Sequence, residues 1–180
     1  MNTLEEKILI VRLKNGDREA YGRIYDHYIE RIYRFIFFKV SADETAKDLT
    51  SDCFLKVFEY ILQTDQEIKN VQALLYRTAR NLVIDHYRSR AKETVSIEKG
   101  YKVTSDGYGS ENNLIMNLEQ ERILKAVKEL DNEEWQEIIL LKFVDGYSTT
   151  EIAQIMEKKN GAIRTALSRA MAELKKTISS

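Results

Sequence analysis

Apolar residues recur at steps of three and four along most of the chain, the period of a helix that packs along one side. One such segment runs from Tyr21 to Ile36, a second from about Ala42 to Leu62, and a third from about Val71 to Arg90. The sequence has no proline, the residue that breaks a helix from within. The pattern therefore predicts an all-α fold.

Short polar breaks mark where these helices begin and end. Gly16 followed by Asp17 predicts a helix C-cap and then, at once, an N-cap. Ser41, with Glu44 three residues later, predicts a capping box at the start of the next helix.

Two segments near the C-terminus predict a helix-turn-helix. Ser148 and Glu151 have the spacing of a capping box, and Asn160 is placed to cap a second helix after a polar turn. In that second helix one side is apolar, formed by Ile163, Leu167, Ala170 and Leu174. The outward side carries two guanidinium and two hydroxyl groups, those of Arg164, Thr165, Ser168 and Arg169. This outward side suits the phosphates and base edges of a major groove.

Charge distribution decides between DNA binding and an ordinary helix pair, since two short amphipathic helices also occur in proteins that bind no DNA. The net charge of −1 conceals a segregation of charge. Acidic residues outnumber basic ones over 116–145, and the reverse holds over 156–176. Positive charge is thus concentrated on the predicted groove-binding helix, which favours DNA as the ligand.

Residues 91–113 lack apolar periodicity and are rich in glycine and serine, so they are predicted to be a flexible linker. The predicted organisation is therefore a helical domain over 1–90, the linker, and a second helical domain over 114–180 that contains the helix-turn-helix.

The predicted helix from Ala42 to Leu62 has more apolar residues than one face can hold. Beside its core stripe, a second apolar surface is formed by Phe54, Leu55, Phe58 and Leu62. The acidic residues Asp48 and Asp52 border it. Either the helix is buried on most sides, or this second surface binds a partner protein.

The predicted helix from Val71 to Arg90 separates an apolar side from a basic one. The basic side carries Arg77, Arg80, Asn81, Asp85 and Arg88, with Tyr76 and Tyr87 at its edges. Cations neutralise a nucleic-acid backbone, and each base stacked on an aromatic ring contributes about 1–3 kcal/mol. The side is either a site for single-stranded DNA or a solvated helix surface.

Other functional classes have little support. The one cysteine, Cys53, excludes an internal disulfide and a cysteine-based metal site, and His27 and His86 show no ligand spacing. No nucleophile motif or phosphate-binding glycine loop is present, so neither an enzyme nor a cofactor is predicted. No apolar run is long enough to span a membrane, and residues 1–6 lack the basic-then-apolar order of a signal peptide, which predicts a cytoplasmic protein.

Three motifs together resemble those of bacterial extracytoplasmic-function sigma factors. Residues 74–88 resemble the family's W-L-Y-R-I-A-R-N-x-x-I-D-x-x-R signature, and residues 48–58 its D-L-x-Q-E-x-F-L-K-x-W/Y helix. Residues 145–153 resemble its D-G-x-S-x-x-E-I-A entry to a helix-turn-helix. The resemblance implies an alternative sigma factor with region-two and region-four domains. It also implies that the chain has core RNA polymerase and promoter DNA as partners, and an anti-sigma protein as its regulator.

The resemblance assigns three sets of residues. Those that would bind the β′ clamp coiled coil are Asp48, Leu49, Asp52, Phe54, Leu55 and Phe58. Those that would hold the melted minus-ten element, together with the loop 65–70 before their helix, are Arg77, Arg80, Asn81, Asp85, Tyr87, Arg88 and Arg90. Those that would bind the minus-thirty-five duplex are Lys158, Lys159, Asn160, Arg164, Thr165, Ser168 and Arg169. The second domain would also meet the β flap.

The sequence departs from the family pattern at two informative places. Glu157 stands at a turn where the family commonly has glycine, and the stretch 130–146 is one residue longer than usual. The alternative function is that of a helix-turn-helix transcription regulator that is not a sigma factor. Such a regulator would explain the C-terminal pattern but neither the second surface at Asp48–Phe58 nor the basic-aromatic helix.

Overall fold

The computed structural model describes residues 3–96 and 124–179. The chain divides into two compact units, Met1–Ser110 and Glu111–Ser180. Every regular element among the described residues is helical, which confirms the predicted all-α fold.

The first unit contains four helices: α1 (Thr3–Lys14), α2 (Arg18–Val40), α3 (Asp43–Gln63) and α4 (Val71–Ser96). Helix α4 continues to Ser96, beyond Arg90, where the apolar pattern ends. Of the predicted linker, residues 97–113 lie outside the described part of the chain.

Helix α2 is the centre of the first unit, because α1, α3 and α4 all pack against it. Its side chains Ile24, Ile32 and Phe35 are completely buried. Burying one such side chain stabilises a fold by about 1.5–3 kcal/mol. On α3, the Cys53 thiol donates a 3.4 Å hydrogen bond to the Leu75 carbonyl of α4. Burial raises the pKa of Cys53 to about 12, so the thiol stays protonated and unreactive at neutral pH.

The corner between α1 and α2 forms as predicted. Gly16 has the left-handed φ of 82°, and the Asp17 carboxylate accepts hydrogen bonds from the backbone N–H groups of Glu19 and Ala20. The Arg12 guanidinium lies 2.7 Å from Asp17 and lowers the pKa of that carboxyl group. The corner thus joins an N-cap to an ion pair.

The corner between α2 and α3 differs from the prediction. Ser41 is the left-handed C-cap of α2, with φ 55°, and its N–H donates to the Phe37 carbonyl. Ala42 precedes α3 and provides no side-chain cap, so the predicted capping box at Ser41 is wrong. The Tyr33 hydroxyl instead donates a 2.6 Å hydrogen bond to Asp43 in the first turn of α3. Burial, followed by this bond, raises the pKa of Tyr33 to about 12.

In the second unit, residues 124–128 form helix α5, and three more helices follow: α6 (Glu133–Ile139), α7 (Thr149–Ile155) and α8 (Asn160–Ser179). A π-helical turn, Leu140–Val144, continues directly from α6. In this turn the Asp145 N–H donates to the Leu140 carbonyl at 3.2 Å. A π turn contains one more residue than an α turn. The π turn therefore adds one residue within 130–146 without interrupting the helix.

The two units can be monitored separately. Trp135, the single tryptophan of the chain, lies in the second unit, whereas Phe54 is buried in the first. Replacing Phe54 by alanine should lower the free energy of unfolding of the first unit by about 3–5 kcal/mol. The matched change at the neighbouring, exposed Leu55 should have an effect within about 0.5 kcal/mol.

The measurement is urea unfolding of F54A and L55A, followed by circular dichroism at 222 nm and by tryptophan fluorescence. F54A should shift only the transition seen by circular dichroism. An equal shift of the fluorescence transition would contradict the division into two units.

Candidate nucleic-acid and protein interfaces

The aromatic residues of α3 lie inside the first unit. Phe54 and Phe58 are 1% and 4% exposed, respectively. The ring of Phe54 lies 4.8 Å from that of Tyr25, and the ring of Phe58 lies 4.0 Å from that of Tyr21, both on α2. These two phenylalanines join α3 to α2 and are not available to a partner. This corrects their prediction as polymerase-binding residues.

The outward face of α3 is centred on two leucines. Leu55 is 57% exposed and Leu62, two turns later on the same side, is 55% exposed. The carboxylates of Asp48 and Asp52 lie beside them and are exposed. Leu49 is half-buried. We call Asp48, Asp52, Leu55 and Leu62 the acidic-apolar face.

Tyr21 is a contributor to this region that the sequence pattern did not reveal. It falls within the apolar repeat of α2 and was therefore expected in the core, yet 39% of its surface is exposed. Its ring covers Phe58 and is also stacked beside Tyr25, with ring centres 6.1 Å apart. Tyr21 thus lies where α2 meets α3 at the surface.

Most of the predicted minus-ten residues lie on the exposed side of α4. Exposed are Arg77, Asn81, Asp85, Tyr87, Arg88 and Arg90, and Arg80 is half-buried. Tyr76 is completely buried, edge-on to Phe35 at 5.2 Å, so it is not available for stacking.

Tyr87 is both exposed and anchored. Its hydroxyl donates a 2.8 Å hydrogen bond to the Lys39 carbonyl at the end of α2, while 48% of its surface remains exposed. The bond restricts the ring's orientation, which lowers the entropic cost of stacking a base on it. Asp85 and Arg88 form an exposed ion pair at 3.9 Å, which contributes little to stability.

The helix-turn-helix begins with the predicted capping box. The Glu151 N–H donates to the Ser148 hydroxyl at 3.2 Å, and the Ser148 N–H donates to the Glu151 carboxylate at 2.8 Å. This prediction is confirmed.

The turn between α7 and α8 is a Schellman motif. The Lys158 N–H donates to the Ala153 carbonyl at 2.9 Å and the Glu157 N–H to the Gln154 carbonyl at 3.3 Å. Glu157 has φ 55°, the left-handed conformation for which glycine is favoured. The glutamate therefore adopts the strained geometry expected from its position.

Asn160 does not cap α8 as predicted. The carbonyl that accepts the first helical bonds, from Ala162 and Ile163, belongs to Lys159. The Asn160 amide instead donates a 2.9 Å hydrogen bond to the Thr150 hydroxyl of α7. This bond ties the two helices together across the turn.

All seven predicted minus-thirty-five residues are exposed. They lie on the outward side of α8 and in the turn before it: Lys158, Lys159, Asn160, Arg164, Thr165, Ser168 and Arg169. Ile163, Ala170 and Leu174 are buried on the opposite side, and Leu167 is half-buried. Lys158 pairs with Glu134 of α6 at 2.5 Å. The Thr165 hydroxyl bonds back to the Gly161 carbonyl at 3.0 Å.

Residues 3–96 and 124–179 contain no cluster of three or more histidine, cysteine, aspartate or glutamate side chains that could hold a metal ion. None of the helices in those ranges is long and apolar enough to span a membrane.

Two family models match the chain. The model described as Sigma-70 region 2 matches residues 24–93, and Sigma-70, region 4 matches residues 120–174. The chain is 35% identical over 167 residues to the ECF RNA polymerase sigma factor BldN of Streptomyces coelicolor. The chain belongs to the extracytoplasmic-function sigma factors. The matched residues cover 92% of the present chain but only 63% of the length of BldN.

A second relative is similar in sequence, and two solved structures are similar in fold. The present chain is 26% identical over 182 residues to the ECF RNA polymerase sigma factor SigW of Bacillus subtilis, with 94% of each chain covered. CnrH, solved in complex with the cytosolic domain of CnrY, has a similar fold at 18% identity, with a TM-score of 0.69 and 97% of both chains covered. The sigma factor RpoE of Bartonella quintana, solved with the anti-sigma factor NepR, has a TM-score of 0.64 at 21% identity, with 89% of this chain and 98% of that chain covered.

Glycine at position 157 should stabilise the second unit. Removing the left-handed strain stabilises the folded state by about 1–2 kcal/mol. The greater conformational freedom of glycine stabilises the unfolded chain by about 0.5–1 kcal/mol, which offsets part of this gain. E157G should therefore raise the free energy of unfolding by about 0.5–1 kcal/mol, measured by urea unfolding with Trp135 fluorescence. The control E173G, inside α8, should lower it by about 1 kcal/mol. Destabilisation by both variants would contradict the strained turn.

Proposed function

We propose that this chain acts as an alternative sigma factor. It binds core RNA polymerase, recognises a minus-ten and a minus-thirty-five element, and holds the melted promoter while transcription starts. The observation that carries the proposal is the pairing, within one unit, of the acidic-apolar face of α3 with the basic exposed side of α4. A helix-turn-helix regulator of another kind needs neither surface.

The acidic-apolar face is the proposed contact with the β′ clamp. Leu55 and Leu62 supply apolar area and Asp48 and Asp52 supply negative charge, so the face suits a basic helical partner. Phe54 and Phe58 would contribute indirectly, because they hold α3 in place against α2.

Helix α4, with the loop 65–70 before it, is the proposed site for the unpaired minus-ten strand. Arg77 and Arg88 would contact phosphates, the ring of Tyr87 would stack on a base, and Asn81 would contact the non-template strand. No bond is made or broken by such a protein. Its binding free energy offsets the cost of unpairing DNA, about 1.4 kcal/mol of stacking per base-pair step.

Helix α8 is the proposed reader of the minus-thirty-five duplex. Arg164 and Arg169 lie on its outward side with Ser168, where side chains can reach phosphates and base edges. The same unit would meet the β flap. The proposed domains are 1–90 for region 2 and 114–180 for region 4, joined by the linker 91–113, of which residues 91–96 continue helix α4.

Regulation by an anti-sigma protein is part of the proposal. CnrH and RpoE, which share this fold, were each solved with a bound partner, and for RpoE that partner is named an anti-sigma factor. A protein that covered the acidic-apolar face would prevent polymerase binding. The proposed place of action is the cytoplasm, where core polymerase is found.

Polymerase binding by the acidic-apolar face can be tested with a matched pair of variants. Leu55 on α3 and Ile8 on α1 are similarly exposed, at 57% and 52%. L55E should weaken binding of bacterial core polymerase at least tenfold, about 1.4 kcal/mol, because it adds like charge and removes apolar area. I8E should bind as the wild type does.

The measurement is biolayer interferometry with immobilised protein and core polymerase in solution, after circular dichroism has shown that both variants fold. Absence of binding by the wild-type protein would refute the proposal as a whole. Equal weakening by L55E and I8E would refute the assignment of the face.

Charge reversal on α8 should separate DNA binding from polymerase binding. R164E and R169E should each weaken binding of the minus-thirty-five duplex by about 1–3 kcal/mol and reduce its salt dependence, because each removes a cation from the groove-facing side. Core polymerase binding should be unchanged. The controls K175E and K176E make the same charge change at the far end of α8.

These affinities can be measured by fluorescence anisotropy with a labelled promoter duplex over a range of salt concentrations. If the two control variants lost as much affinity as R164E and R169E, the effect would come from net charge alone and the assignment of this side would fail.

A further inference from the structure

The loop that joins α3 to α4, residues 64–70, is held from outside by helix α1. The Lys14 ammonium donates a 2.7 Å hydrogen bond to the Thr64 carbonyl and approaches the Gln66 carbonyl at 3.5 Å. Two turns earlier on the same side of α1, Lys7 pairs with Glu67 at 3.1 Å. Two lysines of α1 therefore contact one short stretch of the loop.

The Lys14 contact satisfies a need that α3 does not meet itself. Thr64 is the C-cap of α3, and the carbonyls at a helix C-terminus lack partners inside the helix and carry partial negative charge. The last turn of α3 has no basic residue. Lys14 supplies the missing cation from another helix, through a charge-assisted bond to backbone.

The remainder of the loop is fixed at its far end. Ile68 is 8% exposed and anchors the loop in the core, and the Asn70 side chain accepts a 2.8 Å hydrogen bond from the Ala73 N–H in the first turn of α4. The side chains of Asp65, Gln66 and Lys69 are exposed. The loop thus has a constrained backbone and outward side chains at the point where α4 begins.

We propose that Lys14 is a positioning residue, which holds the backbone of loop 64–70 so that the loop and α4 together receive the unpaired strand of the promoter. This inference rests on the proposed function for its DNA half. Lys7 has the smaller role, because its ion pair with Glu67 is exposed on both sides, at 50% and 65%.

The first test concerns the free protein and requires no DNA. K14M keeps the aliphatic stem and removes the ammonium, K14R restores a cation, and K7M removes the other lysine. Hydrogen–deuterium exchange at the amides of residues 64–70 should become about three- to tenfold faster in K14M, the effect of one charge-assisted bond at an exposed site. K14R should exchange within about twofold of the wild type, and so should K7M. Unchanged exchange in K14M, or equal acceleration in K7M, would overturn the proposal whatever the protein's function.

The second test uses the protein bound to core polymerase and a promoter whose start site has been mapped. One DNA probe ends in a single-stranded non-template minus-ten segment, and the other is a duplex that stops upstream of it. K14M should lower affinity for the forked probe about three- to tenfold and leave the truncated duplex unaffected, with rescue by K14R. If K14M merely destabilised the first unit, it would also weaken binding of core polymerase, because the acidic-apolar face lies on that unit.

The outcomes distinguish the proposal from the function on which it rests. If K14M exchanged faster but kept the wild-type preference for the forked probe, the DNA half of the proposal would be overturned. If the wild-type complex itself showed no preference for the forked probe, the proposed melting function would be refuted, and so would the role of Lys14 in DNA binding. The exchange experiment would still show whether Lys14 holds the loop 64–70.

Discussion

The packing of Phe54 and Phe58 of α3 against Tyr25 and Tyr21 of α2 is the contact on which the first unit depends. It directs one apolar side of α3 inward and leaves Leu55 and Leu62 on the other. The same helix also packs on α4, where the Cys53 thiol meets the Leu75 carbonyl. The orientation of α3 therefore determines where the proposed polymerase contact and the proposed DNA contact lie relative to one another within this unit.

The second unit holds α8, the proposed reader of the duplex, in a fixed orientation. Its turn is fixed by backbone bonds around Glu157 and by the Asn160–Thr150 bond between the two helices. The strain at Glu157 is confined to the turn after α7, and the capping box at Ser148 stabilises the first turn of α7. The outcome is a helix whose apolar side is buried and whose cations and hydroxyls face outward.

Local patterns predicted most of the fold and much of the candidate interfaces. The capping box at Ser148 and the N-cap at Asp17 depend on residues close in sequence, and both formed as expected. Helical period also placed the basic residues of α4 and α8 on one side of each helix. The family motifs supplied the identity of the chain, since no single pattern distinguishes a sigma factor from another DNA-binding protein.

The errors came from contacts between segments distant in sequence. Period alone shows that α3 has two apolar faces, but only the position of α2 decides that Phe54 and Phe58 are buried while Leu55 is exposed. Asn160 has the chemistry of a cap, yet Thr150 is a partner that the turn brings within reach. Ser41 likewise ends α2 in a left-handed conformation, and the bond from Tyr33 to Asp43 secures the start of α3.

The central claim is that the surfaces of the two units act on one promoter when the chain is bound to polymerase. The most direct measurement is run-off transcription by bacterial core polymerase on fragmented genomic DNA, with and without the protein, followed by sequencing of the transcript 5′ ends. A sigma factor should produce new, discrete start sites that share two upstream sequence elements at a constant spacing. Duplex DNA binding without any new start site would contradict the central claim.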